Sequence, residues 1–204
     1  MGGIIDRHLD DHLQALTKLR ERRADLEHIA DLMIACLAGG GCIFWLGNGG
    51  SAADSQHLSS ELVGRFERHR PGLAAIALTT DSSALTAIGN DYGFDQVFAR
   101  QVEALGRPGD LVIGISTSGN SPNVVQAMLK ARDLGLATAA FSGRDGGRLS
   151  QVVDACLTVP APNTARVQEM HILAGHILCD LVEARFTPLT EPPEGQDTPA
   201  GRGS

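Results

Sequence analysis

Residues 110–143 read DLVIGISTSGNSPNVVQAMLKARDLGLATAAFSG, and their pattern decides the fold class. DLVIGIS (110–116) is a short run, apolar on both faces, that ends in the loop TSGNSP. NVVQAMLKARDLG then spaces its apolar residues as a helix does, and ATAAFSG (137–143) is a second short run. Strand, loop, helix and strand in that order make a parallel pair, because a parallel return needs a crossover of a dozen residues or more. The same alternation extends in both directions. Upstream lie CIFWLG (42–47), the helical SAADSQHLSSELVGRF, LAAIAL (73–78), the segment TTDSSALTAIG and a helix around VFARQVEALG that Gly106, Arg107 and Pro108 end. Downstream lie RDGGRLSQVV, a short strand CLTVP (156–160) and a helix over about 164–185. Strands without polar alternation, separated by helices, belong to a parallel sheet covered on both faces. Ligands of such sheets bind beyond the carboxyl ends of the strands, where the strand order reverses.

Outside this body, residues 5–37 place Leu9, Leu13, Leu16, Leu19, Leu26, Ile29, Ala30, Met33 and Leu37 at helical spacing. That predicts one long helix or two in tandem, ended by Gly39, Gly40 and Gly41. The last residues, TPLTEPPEGQDTPAGRGS, are rich in Pro, Gly and polar groups and are expected to be disordered. The expected organisation is a helical region at 1–40, an α/β domain at 41–186 and a tail at 187–204. The 204 residues are enough to bury a full core. A formal charge of −7 with no Lys/Arg block disfavours nucleic acid and anionic membrane as partners. No apolar run approaches the roughly 20 residues of a membrane helix, and the charged N-terminus lacks a signal-peptide core. Cys36, Cys42, Cys156 and Cys179 stand in apolar contexts without Cys-x-x-Cys spacing, which predicts free thiols in a reducing cytoplasm.

Two strand-to-helix loops carry the first candidate chemistry. One is Gly47-Asn48-Gly49-Gly50-Ser51; the other is Ser116-Thr117-Ser118-Gly119-Asn120-Ser121-Pro122. At a helix start the first-turn amides lack partners and the dipole presents roughly half a positive charge. Ser121 is expected to cap the second helix, with Pro122 in its first turn. Backbone amides with the hydroxyls of Ser116, Thr117, Ser118 and Ser121 can wrap a phosphate without lysine. Neither loop matches G-x-x-x-x-G-K-[ST] or G-x-G-x-x-G, so a nucleotide is not expected. Gly, Ser and Asn also make ordinary turns; two such loops at equivalent places in one sheet are what point to an anion.

The second candidate is a pair of helices. His57 and Glu61 stand at i, i+4 on one face, and Gln168 and His176 at i, i+8 near one face of the late helix, which also carries His171 and Glu169. Imidazole, carboxylate and amide oxygen form an N/O set compatible with zinc, and the same groups suit an acid/base pair. A helical His/Glu pair on its own is ordinarily a solvated face. His8, His12, His28 and His69 are expected to be solvated, and His171, among apolar neighbours, can equally be a core histidine.

GNGGSAADSQHLSSELVGRF, ALTTDSSALTAIGNDYGFDQVFARQVEALGRPGD, GISTSGNSPNV and TARVQEMHILAGHILCDLVE together resemble the sugar isomerase (SIS) domain family over about residues 5–186. The resemblance implies a flavodoxin-like, doubly wound five-stranded parallel sheet flanked by helices, with an N-terminal helical extension that builds an oligomer. It implies a ketose–aldose isomerase that interconverts sedoheptulose 7-phosphate and D-glycero-D-manno-heptose 7-phosphate, an early step towards activated heptose for bacterial surface polysaccharide such as lipopolysaccharide. It further implies a cytoplasmic homotetramer with sites between subunits and one zinc per subunit. On the matching motifs, Asn48, Gly49, Gly50 and Ser51 form a substrate-contacting loop, Asn90 and Asp91 a further contact, and Ser116, Thr117, Ser118 and Ser121 the phosphate loop. His57, Glu61, Gln168 and His176 are the implied zinc ligands, with Glu61 and His176 also the implied acid/base pair; Gln168 also orients substrate, and Arg65 is a minor candidate. The family also contains a non-catalytic tetramer that binds the replication initiator protein, and sugar-phosphate etherases and sensors. A pure binding module has no use for Glu61 with His176, and no helix-turn-helix extension accompanies the domain.

Overall fold

A computed structural model of the chain describes residues 2–187. The central sheet has five parallel strands, β1 (Ile43–Gly47), β2 (Ala75–Ala77), β3 (Leu111–Ser116), β4 (Ala137–Gly143) and β5 (Ala155–Val159), in the order β2-β1-β3-β4-β5. Seven α-helices accompany it: α1 (Gly2–Arg20), α2 (Arg23–Ala38), α3 (Gly50–Val63), α4 (Ser82–Tyr92), α5 (Ala99–Leu105), α6 (Pro122–Asp133) and α7 (Thr164–Phe186). The doubly wound parallel sheet and the N-terminal helices agree with the sequence reading. The N-terminal region forms two helices, with the break at Glu21 and Arg22.

Alternate residues of each strand feed opposite faces, as a covered sheet requires. Ile43, Trp45, Ile113 and Phe141 join the core made with α1, α2, α3 and α7. Phe44, Leu46, Val112 and Ala140 join the core under α5 and α6. The edge strand β2 is only three residues long, half the expected run; Ile76 is 45 % exposed and, among the described residues, no further strand pairs beyond it. TTDSSALTAIG, given no element from the sequence, forms α4 from Ser82 onward: the Asp81 carboxylate accepts from the Ala84 amide 2.9 Å away and caps the helix.

Strand order reverses between β1 and β3, which lie side by side, so the two Gly/Ser loops emerge next to each other at their carboxyl ends. No described helix is long and apolar enough to cross a membrane. All four cysteines are free, as expected. The expected tail lies, from residue 188 on, outside the described residues.

Candidate active site

The two loops are tied to each other by one pair of side chains. Asn48 Nδ2 donates to Asn123 Oδ1 and Asn123 Nδ2 donates to Asn48 Oδ1, each at 2.8 Å. Asn123 is buried in the first turn of α6, and Oδ1 also accepts from the Val124 amide at 2.9 Å. This reciprocal amide pair fixes the first loop against the second across the switch point. Sequence reading did not single out Asn123; a polar residue directly after the Pro that opens a helix was its only signal.

In the second loop the Ser116 and Ser121 hydroxyls lie 2.9 Å apart, and the Ser118 hydroxyl is 3.4 Å from Ser116. The Asn120 amide donates to Ser118 Oγ at 3.1 Å. Ser121 holds the cap position of α6 but its side chain makes no capping hydrogen bond, contrary to expectation. Its hydroxyl is turned to Ser116 instead, and the first-turn amide of Val124 is held by the Asn123 side chain, which leaves the Asn123 amide as the free donor at the start of α6. Gly119 has φ +67°, and a Cβ there would strike the Gly146 carbonyl; only glycine allows the loop to fold this tightly. The helix of the first loop, α3, likewise has no side-chain cap at Gly49. The free amides of Gly50 and Asn123 at two adjoining helix N-termini, with three converging hydroxyls, form a cradle for an oxyanion.

Glu61, His57 and His176 converge. His57 Nε2 is 2.9 Å from His176 Nε2 and 3.3 Å from Glu61 Oε1, and the three donor atoms lie within 4.8 Å of one another. Helical spacing puts His57 and Glu61 on one face of α3, and the packing of α7 against α3 brings His176 across. At most one hydrogen can sit between the facing Nε2 atoms, so a proton or a cation must hold their lone pairs together. Two imidazoles and a carboxylate at this separation are a donor set that zinc accepts, so the residues present fit a metal ion. His57 is exposed, while Glu61 and His176 are half-buried. The Phe66 ring stacks on His176, with centroids 5.4 Å apart and planes at 28°.

Gln168 is not in contact with this triad by any hydrogen bond; its amide rests on Gly50, where a Cβ would collide with Nε2. With Gly50, Ala53, Asp54, Glu169 and Ile172 it lines an open cleft of ≈ 320 Å³. Asp54, which the sequence did not flag, sits one turn before His57. Partial burial raises its carboxyl above the usual range, against the opposing pull of His57 and His176. Asn90 and Asp91 lie at the exposed end of α4 and bond each other at 2.7 Å; the fold brings neither to the triad. Arg65 is exposed and donates to the Glu67 carbonyl.

Of the histidines expected to be solvated, His8, His28 and His69 are exposed, while the His12 ring is partnered. His12 Nδ1 is 2.7 Å from Glu169 Oε2, and Arg166 donates to the His8 carbonyl at 2.6 Å, so α1 is pinned to α7 just before Gln168. His171 is a core histidine. It is fully buried, and its Nε2 lies 3.0 Å from the Ser142 carbonyl.

The profile of the SIS domain family matches residues 7–143. The phosphoheptose isomerase of Geobacter sulfurreducens is 57 % identical over 169 residues, covering 83 % of this chain and 89 % of its own. That of Paramagnetospirillum magneticum is 51 % identical over 185 residues, covering 90 % and 96 %. Among solved structures, the phosphoheptose isomerase of Neisseria gonorrhoeae superposes with a TM-score of 0.85 at 46 % identity, over 90 % of this chain and 98 % of that one. The enzyme from Francisella tularensis gives 0.86 at 39 % identity, over 89 % and 97 %. With a family profile matched over two thirds of its length and relatives more than half identical across nearly all of both chains, the protein belongs to the SIS domain family, in its phosphoheptose isomerase branch.

Proposed function

We propose that this protein interconverts sedoheptulose 7-phosphate and D-glycero-D-manno-heptose 7-phosphate. The observation that carries the reading is the meeting of Glu61 and His176, from helices more than a hundred residues apart in sequence, in a fold whose paired serine-lined loops suit a phosphate. The names of relatives more than half identical across nearly all of the chain support the same substrate.

The reaction moves a proton between C1 and C2 and redistributes those on O1 and O2, so it needs a base at carbon and an acid at oxygen. Glu61 takes the carbon-bound proton, leaving an enediol, exchanges it with solvent and delivers a proton to the neighbouring carbon. His176, across from His57, gives a proton to the carbonyl oxygen and recovers one from the other hydroxyl once substrate has taken the place of its resting partner. The hydroxyls of Ser116, Thr117, Ser118 and Ser121 and the Asn123 amide at the start of α6 hold the phosphate; Asn48, Gly49, Gly50 and Ser51 hold the sugar, with Asn90 and Asp91 as further contacts. His57, Glu61 and His176, with Gln168 as fourth ligand, would hold one zinc per subunit, which when bound polarises a carbonyl oxygen as a Lewis acid.

The reading extends to a cytoplasmic homotetramer with sites between subunits, supplying heptose for surface polysaccharide. Ile5, Leu9 and Leu13 form an apolar stripe on α1, each about 60 % exposed, as an assembling helix would present. The open triad leaves room for a wall from a second copy. The initiator-binding alternative has no observation in its favour. The test is incubation with sedoheptulose 7-phosphate, with and without a chelator, watched by NMR. An aldose 7-phosphate should accumulate in the untreated sample; its absence in both samples would refute the reading.

A further inference from the structure

Glu183 is a buried acid that the chemistry above does not use. It stands on α7 two turns after His176, with its side chain fully buried. Its carboxylate accepts from three consecutive amides of the loop after α3: Phe66 to Oε1 at 2.9 Å, and Glu67 and Arg68 to Oε2 at 2.7 Å each. The fully buried Arg70 guanidinium lies beside it, Nε 3.2 Å from Oε1, an ion pair without hydrogen-bond alignment. Arg70 turns its other nitrogens to the end of α3. Nη2 donates to the Glu61 carbonyl and Nη1 to the Leu62 carbonyl, both at 2.8 Å. The first loop residue so gathered is Phe66, whose ring stacks on His176.

One carboxylate thus holds both halves of the acid/base pair by separate routes. We propose that Glu183 is a positioning residue: it gathers residues 66–68 so that Phe66 fixes the His176 ring, and it anchors Arg70, which fixes the helical turn carrying Glu61. The role assigned to Glu61 and His176 rests on the proposed function above; the geometry of the brace does not. A carboxylate suits this place better than an amide. Four donors face two oxygens, and a glutamine would turn an NH₂ group towards at least one N–H.

The test uses the whole protein carrying 13Cε1-labelled histidine, with the His176 resonance assigned by its loss in His176→Gln. In Phe66→Leu the resonance should move as the ring current disappears, and kcat should fall roughly 10–100-fold with KM nearly unchanged. Phe66→Tyr, which keeps the ring, should restore both. Glu183→Gln should move the His176 resonance in the same direction as Phe66→Leu, with a similar loss of kcat. Should Glu183→Gln fail to fold, the Phe66 pair still decides. A His176 resonance and kcat unchanged in Phe66→Leu, or a Glu183→Gln protein that loses only thermal stability, would overturn the proposal. If the wild type does not turn over sedoheptulose 7-phosphate, the proposed function fails, and the resonance shifts still test the brace.

Discussion

The proposed chemistry turns on Glu61. Replacing its carboxylate by the isosteric amide removes the base and leaves the loops untouched. Glu61→Gln should lower kcat by ~10²–10⁴-fold, the usual contribution of one acid/base group, while KM changes little. Ser118→Ala, by contrast, should raise KM with a smaller effect on kcat, because the role proposed for Ser118 is at the anionic end and not at the reacting carbons; steady-state kinetics on the two variants separates these roles. His171 gives a prediction about stability. Burial pushes its pKa down from 6.5 to about 4, against the hydrogen bond to Ser142. A carbonyl only accepts, so Nε2 carries the hydrogen and Nδ1, which has no partner, stays bare. Between those two pKa values the unfolded chain holds a proton that the folded chain refuses, so stability falls as the pH drops from 6.5 towards 4. The loss is on the order of 3 kcal/mol. Urea unfolding at pH 7 and pH 4.5 should show this acid loss reduced in His171→Leu, whatever that variant's stability at neutral pH. At this scale the His57/Glu61 pair was legible in the sequence, because a helix puts i and i+4 on one face. Asp54, Phe66 and Asn123 were not legible, since their roles depend on what lies opposite them in the folded chain. Of the histidines expected to be solvated, His8, His28 and His69 are exposed, whereas His12 was misread for the same reason: it meets Glu169 across 157 positions of sequence.

Among the elements, the sequence was most informative where strands are buried on both faces. β1, β3, β4 and β5 lie within a residue of their expected bounds at each end. β2 and α4 were least legible. β2 is a three-residue strand at the sheet edge, and α4 depends on the Asp81 cap and buries none of its residues. The junction between β1–α3 and β3–α6 rests on the Asn48–Asn123 amide pair. Asn123→Ala would leave the half-buried Asn48 amide without both bonds, costing about 1–3 kcal/mol. It would also free the first loop from the second. We expect a lower urea midpoint and a raised KM, measured on the same preparation; an unchanged KM would mean that the loops hold their places without the pair.

For the whole molecule, the helical spacing of residues 5–37 was legible in the sequence, but not how those helices attach to the α/β body; the proposed assembly gives them the oligomer-building role. Arg166 and Glu169 of α7 bind His8 and His12 of α1, so the stripe of Ile5, Leu9 and Leu13 is carried on a helix fixed to the active-site helix. Leu9→Glu with Leu13→Glu should reduce the mass in light scattering below that of the wild type, which the proposed assembly sets at four chains. Activity should fall with it if a second copy walls the triad. The measurement closest to the central claim is turnover of sedoheptulose 7-phosphate in D₂O, with NMR of the aldose C2 position. Wild-type protein should give product carrying deuterium at C2, and Glu61→Gln should give almost none over the same time. Full turnover by Glu61→Gln with the same labelling would contradict it.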